Sequence, residues 1–467
     1  MNSVLLISLL GLCGVVGADP ASGGAQGVAG QAAGAGAEER PPQDRAEREA
    51  IAALRAAGAF VAPKSPTTSG AHVGSNGRLR DEQLALLARV RDVTDLDLTG
   101  PHVTDAGLAH LSGLKRLRCL HLGPNVDGTG LRHIASLTSL EELSLDYSRV
   151  GDAGLANIAG LTGLWELSLE DCPVTNAGLA SLSGLRRLRS LNLAGTEAGD
   201  DGMKNLAGLT ELRTLCLGRK ATEKCLVNLR GMSELATLYL PCGITQAGLD
   251  QIKHLHKLRT IPILHGITDD GLRAVAGMPD LRELALADTA VTDAGMETVA
   301  GLRHLEVLDL SGLRITNAGV ARIAGMTWLR ELGLSRTQVT NAGVRRLAGM
   351  KSLVGLGLWR TKITDAAMDT VAKLPELSGL SVNETAVGDA GMKKLAGLRH
   401  LQQLGIADTR VTDKGIVPLV GIESLRSVNA MGSRVTDAGA RKLYRRENNP
   451  VATDHSPPAP PGDPTIP

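Results

Sequence analysis

A six-residue phrase, VTDAGL in its clearest form, returns fifteen times between Val103 and Ala440, with successive copies 23 or 24 residues apart. It reads VTNAGL at Val174, ITDDGL at Ile267 and VTDKGI at Val411, and its most degraded copy is ATEKCL at Ala221. Each copy follows a second phrase, LxxLxL, as in Leu329, Leu332 and Leu334. Leucines two apart lie on one side of an extended strand, and the Thr/Asp pair supplies N-cap oxygens. One period therefore predicts a strand, a turn and roughly two turns of helix, ending at a left-handed glycine such as Gly113 or Gly301. A unit this small cannot bury its own leucines, so each copy must lean on its neighbours. With seven aromatic residues in 467, the core must be built from Leu, Val, Ile, Ala and Met.

These phrases resemble those of leucine-rich repeat proteins over residues 91–446. The variant is similar to the cysteine-containing, ribonuclease-inhibitor-like class seen in F-box substrate receptors and many bacterial proteins. The resemblance implies an α/β solenoid shaped as a horseshoe, with a parallel sheet on the concave face and short helices on the convex one. It also implies that partners dock on the concave face. The substrate-receptor role does not transfer, because residues 19–90 hold no Leu-Pro pair of the kind an F-box module would carry; Leu374–Pro375 lies inside a repeat, as does Leu240–Pro241.

The flanks are short. Residues 1–18 read as a signal peptide: the apolar run VLLISLLGLCGVVGA ends in Val16, Gly17 and Ala18, a small-residue cleavage pattern, and no transmembrane helix is expected after it. Residues 19–42, rich in Ala and Gly, read as a disordered linker, and residues 43–90 as an N-terminal cap with helices near 45–57 and from Asp81 and a strand at Phe60 and Val61. Residues 447–467, with seven prolines, read as a disordered tail. The expected compartment is therefore secreted or periplasmic. A net charge of +1 recruits neither nucleic acid nor an anionic membrane.

Candidate chemistry is sparse. Five cysteines remain after Cys13, an odd number without regular spacing, and Cys172 stands where other repeats carry Thr289, Thr337, Thr361, Thr385 and Thr409. That position should point under the turn and bond loop backbone. Cys119, His121, Glu142 and Asp146 share one face and could hold a divalent ion, but a metal centre needs three or four convergent ligands, and the sequence shows only proximity. No metal or other cofactor is assigned. The aspartates recurring once per period, among them Asp105, Asp152, Asp269 and Asp293, are read as helix caps rather than a calcium stack. No GxSxG, HExxH or phosphate-cradling loop occurs, so no enzyme is expected.

Three side chains per strand alternate with the leucines. Over fifteen strands these positions hold nine carboxylates and no Lys or Arg, six of them in the first four strands: Asp95, Asp97, Glu142, Asp146, Glu166 and Glu170. Bases such as Arg149, Arg314, Lys362, Arg410 and Arg434 fall just past the strands. A one-signed face favours a cationic protein or peptide and disfavours nucleic acid. His121, Tyr239 and Trp359 complete the candidate binding residues, with Trp359 expected to stand exposed among glycines as an anchor. A binding scaffold is the leading reading; an envelope or adhesion component that takes polysaccharide is the alternative. Pro241 and Pro262, in consecutive repeats beside ATEKCL, predict a weak point over residues 218–266.

Overall fold

The computed structural model describes residues 45–62, 70–75, 77–240, 243–261, 264, 266–287, 289–443 and 451–452. The expected signal peptide and linker lie outside them, as does all but two residues of the tail. The chain divides into two compact units between residues 241 and 242. In each, the repeats stack as an α/β solenoid.

The N-terminal unit opens with α1 (Arg45–Ala56), an amphipathic helix that buries Ala50, Ile51 and Leu54. Its buried Glu47 accepts the Arg91 amide at 2.9 Å, which ties the helix to the start of the array. β1 (Phe60–Ala62) pairs antiparallel with β2 (Ala71–Gly74), and β2 runs parallel to β3 (Val93–Leu98). The sequence reading missed β2, a four-residue strand without the repeat's leucines. β4 (Cys119–Leu122), β5 (Glu142–Ser144), β6 (Glu166–Ser168), β7 (Ser190–Asn192), β8 (Thr214–Cys216) and β9 (Thr237–Tyr239) follow in chain order, every pair parallel.

In the C-terminal unit the parallel sheet comprises β10 (Glu283–Ala285), β11 (Val307–Asp309), β12 (Glu331–Gly333), β13 (Gly355–Gly357), β14 (Gly379–Ser381), β15 (Gln403–Gly405), β16 (Ser427–Asn429) and β17 (Val451–Ala452). β17 departs from the expectation of a wholly disordered tail: it pairs with β16 and so covers an otherwise open strand edge. Between residues 243 and 282 the described strand contacts reduce to isolated bridges, Ile244 with Leu264 and Thr260 with Glu283.

The predicted leucines are buried almost throughout, with Leu240 a half-buried exception. In the third repeat, Leu143, Leu145, Leu155, Ile158, Leu161 and Leu164 are at most 1% exposed. The helical side is often 3-10, as in Gly107–Leu111, and elsewhere α, as in Asn317–Ile323; where an α segment runs directly into a 3-10 one, as Asn341–Arg346 into Leu347–Gly349, it reaches the two turns expected. It does not end in a left-handed glycine: Gly301 has φ −77°. The chain instead unwinds through i to i−3 bonds, Leu302 N to Val299 O at 3.0 Å, which satisfy the terminal carbonyls. The left-handed position comes two residues after the last strand leucine. Tyr147, Arg336, Arg360 and Glu384 occupy it with φ of 50–60°, and Gly195, Gly312 and Gly432 fill it elsewhere. Each side chain there costs about 1 kcal/mol relative to glycine. One residue further on, the Thr337, Thr361, Thr385 and Thr409 hydroxyls each donate at 2.6 Å to the carbonyl three residues back. Buried Cys172 does the same toward Leu145 of the preceding repeat.

The aspartates do cap helices, but the helix is the neighbour's. Asp269 Oδ1 accepts the Thr292 amide at 2.8 Å and Asp269 Oδ2 accepts the Thr292 hydroxyl at 2.6 Å, one repeat on. Thr292 in turn accepts the Ala294 amide, capping its own helix. Asp152 with Thr175, Asp389 with Thr412 and Asp413 with Thr436 repeat the arrangement. Where asparagine replaces aspartate, the carboxamide bonds both groups, as from Asn341 to Thr364. The motif glycine makes room for this reach: a Cβ on Gly295 would lie 2.6 Å from Asp269 Oδ1. Two copies break the series: Gly128 has no side chain to reach with, and Gln246 Oε1 is buried without a hydrogen-bond partner, while the following cap residue, Thr268, makes no side-chain capping bond. Gln246, where the rung is interrupted, lies within the stretch where a weak point was expected.

Two substitutions test the rungs. Asp269→Ala should lower local stability by about 2 kcal/mol, read as faster hydrogen exchange at the Thr292 and Gly295 amides. Gln246→Asp should complete the missing rung and slow exchange at the Thr268 amide by about 1 kcal/mol.

Candidate binding face and a Cys–His–Glu cluster

Strand register brings the acidic residues of the N-terminal unit together. Asp95, Cys119, Glu142 and Glu166 lie side by side on β3 to β6, and Asp97, His121, Ser144 and Ser168 form the next row. Neighbours in a row sit on strands about 4.8 Å apart. All eight side chains are half-buried, on the face away from the leucines. Past the strand ends, Asp146 Oδ1 accepts the Glu170 amide at 2.8 Å, and Glu170 accepts the Asn192 carboxamide at 3.1 Å and the Tyr147 hydroxyl at 2.9 Å. Burial, then Glu142 and Asp146, push the Glu166 carboxyl above its ordinary range.

Tyr147 was not among the expected site residues. It is 60% exposed, at the left-handed position beside the acidic rows. Its only sequence signal was a tyrosine where other repeats carry Arg, Asp or Gly. Tyr239, on β9, is also exposed.

Three of the four residues weighed as metal ligands do converge. Cys119 Sγ lies 3.1 Å from His121 Nε2 and 3.4 Å from Glu142 Oε2, and the three donor atoms fall within 4.8 Å of one another. Asp146 is not part of the group. A Cys–His pair at this distance invites comparison with a thiol nucleophile, which needs a lowered pKa. Here burial, followed by Glu142, pushes the Cys119 thiol up to about 12, the wrong direction for attack.

In the C-terminal unit the face is sparser. Glu283 and Glu331 sit two strands apart, both raised above the ordinary carboxylate range, chiefly by burial. Trp359 corrects an expectation: the indole is half-buried, and its Nε1 donates to Glu384 at 2.9 Å. Glu384 also lies 3.6 Å from Arg360 Nε. The partner that binds the indole stands 25 residues away, at the next repeat's left-handed position, so the glycine neighbours alone did not reveal it.

The bases have a second location that the sequence reading overlooked, the residues just before the strands. Arg118 pairs with Glu141, Arg116 with Asp92, and Arg282 with Glu306. Arg116, Arg118, Arg187 and Glu141 line a cavity of about 430 Å³ at this edge. It is a polar recess separate from the acidic rows.

Leucine layers, one strand per period and short outer helices define an α/β repeat solenoid. The family model described as leucine rich repeat matches residues 136–159 and 301–324, one stretch in each unit. The chain is a leucine-rich repeat protein. A leucine-rich repeat protein of Leptospira interrogans is similar to it at 18% identity, over 73% of this chain and 91% of that one, with TM-score 0.52. A TDR receptor is similar at 16% identity, over 80% and 68% of the two chains, with TM-score 0.50. An internalin C2 of Listeria monocytogenes is 30% identical over 45% of this chain and 84% of that one, with TM-score 0.35. No curated protein matches the sequence.

Glu331 offers a pH test. Its folded-state pKa is raised, so its ionised form opposes folding; the conflict is absent below the ordinary carboxylate range and present above the folded-state value. Glu331 Oε2 is also buried without a hydrogen-bond partner. Glu331→Gln should raise Tm at neutral pH, and the gain over wild type should close as the pH falls below the ordinary carboxylate range.

Proposed function

We propose that this protein is an exported, non-enzymatic binding scaffold whose N-terminal acidic sheet face takes a cationic protein or peptide segment. The observation that carries this reading is the assembly of six carboxylates from adjacent strands on one face, with no Lys or Arg among the alternating positions. Such a face focuses its field outward, which speeds capture of a positive partner and repels a polyanion such as nucleic acid. Stacked repeats lend themselves to this use because they present an extended surface. Exposed Tyr147 and Tyr239 add aromatic contacts suited to Lys and Arg side chains. Trp359, whose indole N–H is committed to Glu384, drops out as a free anchor.

Export rests on the apolar run at residues 4–18, and no helix among the described residues is long and apolar enough to cross a membrane. Mass spectrometry of the native protein should find Asp19 at the N-terminus in the exported fraction; an intact Met1 in the cytoplasm overturns this part.

The binding reading is tested with an oligolysine peptide in stopped flow at stepped ionic strength. Wild type should associate at a rate that falls steeply with salt. The triple variant Asp146→Asn, Glu166→Gln, Glu170→Gln should associate about tenfold more slowly, with a flatter salt dependence. Equal rates and salt slopes for the two proteins would move recognition to another surface. Glu142 is left intact so that the neighbouring cluster is undisturbed.

A further inference from the structure

We propose that Cys119, His121 and Glu142 bind a divalent cation of the zinc class, as three protein ligands with a fourth position open to water. The donor atoms already lie 3.1 Å and 3.4 Å apart for the two sulfur pairs, and all three are within 4.8 Å. A tetrahedral centre with bonds of about 2.0–2.3 Å places its donors roughly 3.3–3.8 Å from one another. Side-chain adjustments of under about 1 Å therefore complete the site.

The sheet supplies the positioning. Cys119 and His121 stand two residues apart on β4, which puts both side chains on one face, and Glu142 is the direct register partner of Cys119 on β5. Parallel backbone bonding fixes the three Cβ atoms before any ion arrives. This is a more rigid base than a loop offers.

The donor set selects the ion. One sulfur, one imidazole nitrogen and one carboxylate oxygen suit zinc and exclude calcium or magnesium, which take oxygen cages. On binding, the thiol proton leaves to solvent, and thiolate and carboxylate together neutralise the two positive charges. Asp95 and Glu166 flank the site in the same row, and no base stands among the alternating positions of these strands, so the local field favours a cation. Half-burial of all three ligands leaves the fourth position reachable from solvent.

The full mature chain, stripped of metal, is titrated with Co(II). Wild type should develop a thiolate-to-cobalt charge-transfer band and intense tetrahedral ligand-field bands at one equivalent, lost on adding zinc and unaffected by magnesium or calcium. Cys119→Ser should abolish the charge-transfer band, and His121→Asn should weaken zinc binding about tenfold or more, with circular dichroism confirming that both variants are folded. Cys216→Ser removes another half-exposed thiol of the N-terminal sheet, one that stands apart from this cluster, and should leave the spectrum unchanged. The triple variant at Asp146, Glu166 and Glu170 should also keep the bands, which separates this proposal from the cationic-partner reading. Absence of the bands in wild type, or their survival in Cys119→Ser, overturns the proposal.

Discussion

Stacking in this protein depends on a hydrogen bond that crosses from one repeat to the next through most of the array. A carboxylate or carboxamide at a helix start accepts the backbone amide of the following repeat's threonine and bonds its hydroxyl as well. Three letters of VTDAGL follow from that contact. Thr caps its own helix while meeting the previous Asp, Asp reaches forward, and Gly leaves space for the Asp behind it. Burying leucines would hold repeats together in many registers. The charge-assisted bond, contributing about 1.5–3 kcal/mol, selects one.

The strands, the buried leucines, the α1 helix and the hydroxyl ladder under the turns were legible in the sequence because each is local or strictly periodic. What escaped was tertiary. Asp269 looked like the cap of its own helix because spacing along one chain cannot show that its oxygens turn to Thr292. Gly113 and Gly301 looked like left-handed helix ends, yet i to i−3 bonds closed those turns and moved the left-handed residue to the far side of the sheet. The acidic rows could be read from alternation alone. Convergence of Cys119, His121 and Glu142 could not, since rotamers decide whether neighbours on a face actually meet.

Charge is sorted along the strands rather than balanced across them. Bases stand just before or just after many of the strands and form ion pairs there, such as Arg118 with Glu141, while the strand face keeps its acids without bases. That separation works against stability: Glu166, Glu283 and Glu331 all have raised pKa values, so their ionised forms are disfavoured where they stand. An array selected for stability alone would place serine or threonine at those positions, as it does at Ser190, Thr214 and Thr237 on β7 to β9. Under the proposed binding role, the acids serve what they attract rather than what they hold together.

The inter-repeat bond also gives the array a direction. The first acceptor of the series belongs to the cap: Asp81 accepts the Thr104 amide at 2.8 Å and its hydroxyl at 2.6 Å before any full repeat has begun. Every later rung is handed on from the side nearer the N-terminus. Shortening the chain from its C-terminal end leaves a carboxylate facing water, which hydrates it readily. Shortening from the other end exposes a threonine amide in place of a carboxylate, so the two cut ends present opposite hydrogen-bonding groups, an acceptor at one and a donor at the other.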